Sequence, residues 1–406
     1  MTDPGQRRFL WLYPLANAGA YIAFLPLLTI ILPLRAEALA GEAKVTLLSE
    51  ALLAGVLVAT IANVAAGMAS DWTRARIGTR MPWLWAGLAG TWLSYAVIAT
   101  ASEAVVLGIG LMLFQLFFNM FFGPLGALLA DKVPDHLKGR VSGLANLALP
   151  AGTLASGLVG LPLFATDGAR LIAVTMLTAA LVLPLLIAAL GHWRDVDTSD
   201  DPHRRGGPLP QRGWRAFFSL WVAKCLVQLS GNVMTSYFLF YLKDEVFRGD
   251  GPSDISAQTG FAGIIVIATF VGAVTSIGAG RWSDRSGRRR PFLLGAVALM
   301  MVGLSALLIR SDWVTALFGY TVFVAGLGSF LTIDIALVAQ ILPSDRHRGR
   351  DLGIMNAANT VPAILAPALA LTLFDQSHDG YGLLFAFLLL ALAGSGGALL
   401  TSRSLR

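Results

Sequence analysis

Long apolar runs, separated by short polar stretches, make up almost the whole chain. About 20 apolar residues, each adding 1.5 Å, cross the roughly 30 Å hydrocarbon core of a bilayer as one helix. The runs recur at about that length from one end of the chain to the other. The pattern predicts twelve transmembrane helices, at Phe9–Leu34, Val45–Ser70, Trp83–Ala101, Ala104–Ala130, Val141–Ala165, Leu171–Trp193, Ala216–Leu242, Ile255–Ala279, Phe292–Ile309, Trp313–Leu342, Leu352–Phe374 and Leu383–Leu400.

The longest polar stretch divides these helices into six and six. It covers residues 194–215, reads RDVDTSDDPHRRGGPLPQRGWR, and is too rich in proline, glycine and charge for a packed element. We therefore predict an all-α membrane protein made of two pseudo-symmetric six-helix bundles. The N-terminal bundle covers residues 1–193, the linker covers 194–215, and the C-terminal bundle covers 216–406.

Composition supports a membrane protein over a soluble one. Hydrophobic residues make up 56% of the chain and charged residues 13%, whereas soluble domains carry about 25% charged residues. The net charge of +6 is spread over short loops, not gathered in a patch, so no nucleic-acid partner is expected. Cys225 is the single cysteine, which excludes an intramolecular disulfide. The first apolar run is too long for a cleaved signal peptide, so we interpret it as the first span.

Lysine and arginine gather in alternate loops, and this asymmetry predicts an orientation. With both termini on one side, that side carries 23 of the 30 lysine and arginine residues. Six lie on the opposite side, and Lys224 lies inside a predicted helix. The sequence therefore predicts a multi-pass protein of the cell inner membrane with both termini in the cytoplasm.

The two halves also repeat each other in sequence. The loop after helix 2 reads GMASDWTRARIGTRMP (67–82), and the loop after helix 8 reads GRWSDRSGRRRP (280–291). The segments after helices 4 and 10 read ADKVPDHLKGRVSGLAN (130–146) and AQILPSDRHRGRDLGIMN (339–356), which share Pro, Gly-Arg, Gly and Asn. Two matches in register predict a duplicated six-helix unit, an architecture whose sites lie near the bilayer midplane.

At these loops the sequence resembles the major facilitator superfamily of transporters, in which G-x-x-x-D followed by arginines lies between helices 2 and 3 and is echoed between helices 8 and 9. The Gly-Arg-Arg-Arg-Pro ending at 287–291 and the Pro…Gly-Arg-x-x-Gly run after helix 4 are similar to the glycoside–pentoside–hexuronide:cation symporters and their sucrose-transporter relatives. The resemblance implies the major facilitator fold. The paired aspartates of the melibiose type, deep in helices 2 and 4, are not found, which weakens a sodium-coupled interpretation.

The resemblance assigns gating to charged residues at these loops. An aspartate at a helix end pairs with arginines there and holds one conformer closed. An alternative interpretation is that the arginines only enforce the topology. The expected gating residues are Asp71, Arg74, Arg80, Asp131, Arg140, Asp284, Arg288, Arg290 and Arg350, with Arg76, Arg285 and Arg289 beside them.

Three charged residues lie within predicted spans, where a central charge costs roughly 2.5–3.5 kcal/mol. Lys224 lies about 15 Å into helix 7, and Asp334 lies about 12 Å from the cytoplasmic end of helix 10. The resemblance implies that both helices line the central cavity. We hypothesise an ion pair that protonation of Asp334 breaks, the alternative being a static pair. Glu50, about one turn from the outer face, is a further candidate for proton coupling or simply reaches headgroup water.

Polar side chains at helical spacing lie on the same faces as these charges. Lys224, Gln228 and Asn232 follow one face of helix 7. Amide and phenol groups both donate and accept hydrogen bonds, which suits a hydroxyl-rich solute, although bonds between helices are an equally good explanation for any single asparagine. The expected substrate-binding residues are Tyr13, Asn17, Tyr21, Gln115, Asn119, Asn146, Lys224, Gln228, Asn232, Asn356 and Asn359.

The sequence lacks the phosphate loop G-x-x-x-x-G-K-[ST] and the motifs HExxH and GxSxG, so we expect no enzyme, no cofactor and no metal site. The leading hypothesis is a secondary active transporter that uses alternating access for proton-coupled symport of a sugar or glycoside. The alternatives are proton-driven efflux of an amphipathic drug or metabolite and a non-transporting membrane receptor. Helix 4 lacks the drug-exporter signature of arginine followed by Gln-Gly, which favours import. The expected partners are a small-molecule solute, a proton or alternatively sodium, and the lipid bilayer, with the protein as a monomer.

Overall fold

The computed structural model describes residues 4–133, 135–164, 166–189, 214–248, 254–341, 348–376 and 380–401. Helices form nearly all of these ranges, and none of them contains a strand. The helices are α1 (Pro4–Pro26), α2 (Leu32–Ala40), α3 (Lys44–Ile77), α4 (Met81–Thr100), α5 (Ala104–Lys132), α6 (Asp135–Ala145), α7 (Ala148–Val159), α8 (Asp167–Ala189), α9 (Trp214–Tyr241), α10 (Ala257–Ser286), α11 (Arg290–Ile309), α12 (Trp313–Ile341), α13 (Arg348–Gln376) and α14 (Gly380–Thr401).

The length and composition of these helices confirm a membrane-spanning, all-α fold. Among the described residues, ten segments are long and apolar enough to cross a bilayer. The first of them, Arg8–Ile77, has 70 residues and holds two long helices, α1 and α3, so it is far too long for one crossing. Helix α4, of 20 residues, is not among the ten. The twelve predicted spans are consistent with this count but do not match it one for one.

One predicted span is interrupted in the structure. The sequence predicts an unbroken helix at Val141–Ala165, whereas α6 ends at Ala145 and α7 begins at Ala148. Pro150 explains the break, because it has no N–H to donate to the carbonyl of Asn146 four residues earlier, and its ring clashes with that carbonyl. The result is a turn at 146–147 within the predicted span.

The chain divides into two compact units, Met1–Pro202 and His203–Arg406. In the N-terminal unit, α1 packs on α7 and α8, and α5 packs on α3 and α4. In the C-terminal unit, α9 packs on α13 and α14, and α12 packs on α10 and α11. The two units therefore use the same packing pattern. The predicted linker at 194–215 lies outside the described residues except for its last two positions.

Glycines allow close helix contacts in the corresponding helix pairs of the two units. A Cβ atom on Gly87 of α4 would lie 2.5 Å from the Phe121 backbone nitrogen of α5. A Cβ atom on Gly303 of α11 would overlap the carbonyl oxygen of Gly319 on α12. Small residues let membrane helices approach until their backbones touch, and packing of this kind stabilises helix pairs in lipid.

Candidate functional site

A buried ion pair joins α9 to α12 in the C-terminal unit. Lys224 Nζ lies 2.7 Å from Asp334 Oδ2, and the two side chains are 10% and 1% exposed. Lys224 lies about 15 Å from the start of α9, and Asp334 lies about 10 Å from the end of α12. Among the described residues of this unit they are the only charged residues that are buried. Removing one partner of a buried pair leaves an uncompensated charge and costs about 3–5 kcal/mol.

The Asp334 carboxylate depends almost entirely on that lysine. Its Oδ1 atom is buried and has no hydrogen-bond partner among the described residues. The contact of Oδ2 with Lys224 is an ion pair by distance, but it does not meet the angular criteria of a good hydrogen bond. A buried carboxylate usually accepts several hydrogen bonds, so this one is poorly satisfied in its charged form.

Amide side chains extend the ion pair along α9 and onto α13. Gln228 Nε2 donates to Asn359 Oδ1 at 2.9 Å, and Asn232 Nδ2 donates to the Gln228 carbonyl oxygen at 2.8 Å. We call Lys224, Gln228, Asn232, Asp334 and Asn359 the C-terminal polar cluster. The side chain of Asn356, also predicted to bind substrate, lies outside the described residues.

The candidate residues of the N-terminal unit form hydrogen bonds within that unit. Asn17 Nδ2 donates to the Tyr13 carbonyl oxygen at 2.9 Å, and Asn119 Nδ2 donates to the Gln115 carbonyl oxygen at 2.8 Å. Asn63 of α3, which sequence reasoning missed, donates to Asn119 Oδ1 at 3.1 Å. Its amide within an apolar run was the available signal. All four residues of the first two contacts are buried.

Three further candidates lie apart from these contacts. The ring of Tyr21 meets the ring of Phe122 edge-on, with centroids 5.8 Å apart. Asn146 is exposed on the turn between α6 and α7. Glu50 is exposed on α3, in the N-terminal unit, and forms no ion pair with another described residue.

The repeat gives this pair no counterpart in the N-terminal unit. Asn17 and Asn232 make the same hydrogen bond to the residue four positions earlier. Each is followed, at the same interval, by a π-helical turn, at Leu27–Ile31 and at Leu242–Val246. In that register Phe9 matches Lys224. The register of the segments at 130–146 and 339–356 matches Leu125 with Asp334. Phe9 and Leu125 are both buried and apolar.

Arg80 is the centre of a charge network at the loop between α3 and α4. Its Nη1 lies 2.5 Å from Asp71 Oδ1, and its Nε lies 2.8 Å from Asp131 Oδ2 at the end of α5. Arg74 Nη1 also binds Asp131, at 2.8 Å. Burial alone would lower the pKa of Arg80, but the hydrogen bonds that it donates to Asp131 and Asp71 outweigh burial and raise the pKa above its ordinary value. The network joins three helix ends, and Gly78 turns the loop back with a φ of 76°.

The matching loop between α10 and α11 carries a smaller network. Of the arginines expected beside Asp284, Arg289 forms the pair, at 3.2 Å. Arg288 is exposed, and Arg290 donates to the Leu400 carbonyl oxygen at the end of α14. Arg80 and Arg289 each stand two positions before the proline that follows the loop, so the same pair forms in both units. The side chains of Arg140 and Arg350 lie outside the described residues.

Sequence reasoning also missed a charged contact near the opposite helix ends of the N-terminal unit. Asp167, at the start of α8, binds Arg170 at 2.8 Å and lies 3.8 Å from Arg35. Arg35 donates in addition to the Ala101 carbonyl oxygen at the end of α4. The contact joins α2 to the start of α8 and to the end of α4.

Comparison with known proteins agrees with this architecture. The family model of the Major Facilitator Superfamily matches residues 251–404. An uncharacterized MFS-type transporter of Mycobacterium tuberculosis, found in strains CDC 1551 and H37Rv, is 26% identical over 256 residues, which cover 60% of this chain. The match spans 53%, about half, of the length of those relatives.

Solved structures of three transporters share the fold. A D-xylose-proton symporter has a TM-score of 0.71 at 15% identity, with 98% of this chain and 97% of that chain covered. A POT family peptide transporter has a TM-score of 0.71 at 12% identity, with 98% of each chain covered. A bacterial homolog of the human lysosomal transporter Spinster has a TM-score of 0.68 at 14% identity, covering 99% and 94%.

The matched family and these relatives are transporters and not enzymes, which confirms the prediction that the chain is not an enzyme. These similarities do not confirm the predicted resemblance to the glycoside–pentoside–hexuronide:cation symporters. The all-helical fold is that of major facilitator transporters, and the C-terminal half of the chain is similar in sequence to the Major Facilitator Superfamily.

Proposed function

We propose that the protein is a secondary active transporter that works by alternating access and carries a sugar or glycoside together with a proton. The observation that carries this proposal is the buried Lys224–Asp334 pair. An ionisable pair inside membrane-spanning helices is costly, and such residues commonly serve proton or substrate pathways. We further propose that the protein works as a monomer in a bacterial plasma membrane, with both termini in the cytoplasm.

Coupling would follow from the chemistry of the pair. When Asp334 takes up a proton, its attraction for Lys224 is lost and the contact between α9 and α12 weakens. The poor hydrogen bonding of the Asp334 carboxylate favours this response, because few bonds must break when the charge is removed. Release of the proton on the other side of the membrane would restore the pair and reset the cycle. Each turnover would thus carry one proton with the solute.

The amides beside the pair support a hydroxylated solute. Gln228, Asn232 and Asn359 are half-buried, so their donors and acceptors are partly accessible. In the N-terminal unit, Asn17 and Gln115 are further candidates for solute contact. The D-xylose-proton symporter has the same fold, which is compatible with sugar transport but does not specify the solute of this chain.

The charge networks at the loops suit a gating role. The Arg80 network ties together the ends of α3, α4 and α5 and would have to open or move as a body during the cycle. The Asp284–Arg289 pair is weaker, because Asp284 is 67% exposed and solvent screens the attraction.

An aromatic column in the N-terminal unit favours a second candidate, proton-driven efflux of an amphipathic compound. Phe114, Phe118 and Phe122 stack along α5 with centroids 5.4 and 5.3 Å apart. Phe24 of α1 stacks against Phe118 at 5.0 Å. Phe114 and Phe118 are buried, and the half-buried rings of Phe24 and Phe122 suit the apolar part of a drug-like molecule. The transport direction of labelled solutes distinguishes the two candidates.

Uptake into proteoliposomes tests the proposal. Labelled α- and β-glucosides are offered with and without an inward proton gradient. We expect gradient-stimulated accumulation by the wild type and none by Asp334→Asn, which retains downhill exchange. Asp254→Asn, at an exposed position before α10, is the matched control and should accumulate solute normally. Unchanged, gradient-dependent uptake by Asp334→Asn would exclude Asp334 as the coupling residue. No sugar accumulation by the wild type would favour efflux.

A further inference from the structure

Lys224 is the more accessible member of the ion pair. Its side chain is 10% exposed, whereas that of Asp334 is 1% exposed. Gln228 and Asn232 follow Lys224 at four-residue steps, so the three side chains share one face of α9. A molecule that approaches this face meets a cation flanked by amide groups, and it meets the Asp334 carboxylate last.

Protonation of Asp334 would leave Lys224 without a counter-ion. Cys225 follows it on the chain, but its thiol is neutral near pH 7. No other charged residue is buried among the described residues of the C-terminal unit. The other charges described on or near α9 and α12 have partners or are exposed. Asp244 accepts from Tyr381 and pairs with Arg248, Asp312 pairs with Arg310, Asp284 pairs with Arg289, Arg290 binds the Leu400 carbonyl, and Lys243 has a partner of its own. Arg215, Glu245, Arg281 and Arg285 are exposed.

A buried ammonium group without a partner is strongly unfavourable. A second anion at Nζ would remove that penalty, and the neighbouring amides would bind hydroxyl groups on the same molecule. We infer that Lys224 binds the carboxylate of a hydroxylated monoanion, a sugar acid or hydroxy acid, which replaces Asp334 as the partner of Lys224. One proton and one monoanion then move together, so the step transfers no net charge. This inference rests on the proposed function and narrows its solute class.

Matched pairs of ligands test the inference on the purified full-length protein. Calorimetry compares D-gluconate, D-glucuronate and L-lactate with the neutral counterparts D-gluconamide, D-glucose and lactamide. We expect at least one carboxylate to bind at least tenfold more tightly than its neutral counterpart, about the strength of one charged hydrogen bond. In weakly buffered solution its binding should take up about one proton per solute, as the mechanism requires.

Variants locate the effect at the pair. Asp334→Asn should keep the preference for the carboxylate but take up no proton, because its lysine is permanently free. Lys224→Gln should lose the preference. The double variant, Lys224→Gln with Asp334→Asn, carries a neutral pair that avoids an uncompensated buried charge, so it should fold and also lack the preference. If Lys224→Gln keeps the preference, or if none of the three carboxylates is preferred, the inference is wrong.

The outcomes separate this inference from the proposed function. Gradient-driven accumulation of a neutral sugar, with no carboxylate preference, overturns the inference and leaves proton-coupled sugar transport standing. Carboxylate binding that depends on Lys224, without gradient-driven accumulation of any solute, supports the inference and overturns the proposed coupling.

Discussion

Two arginines at matching positions of the repeat differ in the number of carboxylates that they bind. Arg80 is 7% exposed and binds both Asp71 and Asp131, whereas Arg289 is 14% exposed and, among the described residues, pairs with Asp284 alone. Asp71 and Asp284 are both 67% exposed. The repeat register places Gln340 where Asp131 stands in the first half. The buried second carboxylate is therefore what distinguishes the N-terminal network.

This difference predicts unequal effects of the same substitution. Arg80→Ala leaves Asp131, 10% exposed, with one fewer cation, and should cost up to about 3–5 kcal/mol of stability. Arg289→Ala removes an exposed contact and should cost about 0–1 kcal/mol. Thermal unfolding of the detergent-solubilised variants measures the two costs, and the apparent Tm should fall by several degrees more for Arg80→Ala. Equal shifts would mean that the Asp131 contact adds no stability.

Sequence reasoning succeeded at the residue scale where a side chain is costly in lipid. It brought Lys224 and Asp334 together as a hypothesis, because a buried charge needs a partner, and the structure places them in contact. It did not single out Arg289 among three consecutive arginines, because the partner depends on how the loop turns at Gly287, whose φ is 62°. It missed Asn63, since a single amide in an apolar run is a weaker signal than a set of polar residues at helical spacing.

At the scale of elements, close contact between α11 and α12 depends on the absence of side chains. Gly303 lies against the backbone of Gly319 and Phe323, whereas Gly295, earlier on α11, has nothing within 4 Å of the position of its missing Cβ atom. The same helix thus offers a crowded glycine and an open one. The N-terminal unit has a crowded glycine of its own, Gly87, on the corresponding helix α4.

Alanine substitution at the two glycines of α11 should have opposite effects. Gly295→Ala should be neutral or stabilise by up to about 1 kcal/mol, because alanine favours the helix. Gly303→Ala should destabilise by about 1–3 kcal/mol, since overlap with the α12 backbone forces the helices apart. Thermal unfolding in detergent compares the two. If Gly303→Ala is as stable as Gly295→Ala, the helices α11 and α12 are not in close contact at Gly303.

Helix existence was predictable and helix continuity was not. Apolar length alone located the spans, because the bilayer requires about 20 apolar residues from each. The break between α6 and α7 depends on Pro150. Other prolines lie inside unbroken helices of this protein, so the apolar pattern alone did not predict a break at this one. Proline within a helix becomes a break only when neighbouring groups fail to satisfy the freed carbonyl.

At the scale of the whole molecule, the uneven distribution of lysine and arginine predicts which loops face the cytoplasm. The single native cysteine makes a direct test possible, because Cys225→Ser yields a protein without thiols. Two exposed serines provide reporters on opposite sides: Ser102, between α4 and α5, and Ser286, at the end of α10.

In that background, Ser102→Cys should react with a membrane-impermeant maleimide added to intact cells. Ser286→Cys should react only after the cells are permeabilised. Labelling after full denaturation controls for the amount of protein. The reverse pattern would place both termini outside the cell and would invert the predicted topology, while the helices and their packing would stay as described.

The π-helical turns at Leu27–Ile31 and Leu242–Val246 bear on the order in which the features of this protein evolved. A π turn takes in one residue more than an α turn. Its presence at the same place in both halves, with Asn17 and Asn232 before it, dates it most simply to an ancestral six-helix protein that had not yet duplicated. Lys224 and Asp334 match Phe9 and Leu125 and belong to one copy alone, so the ion pair is the younger feature or its charges were lost from the other copy. In either order, both halves keep the scaffold of the common ancestor, and one half alone carries the ion pair.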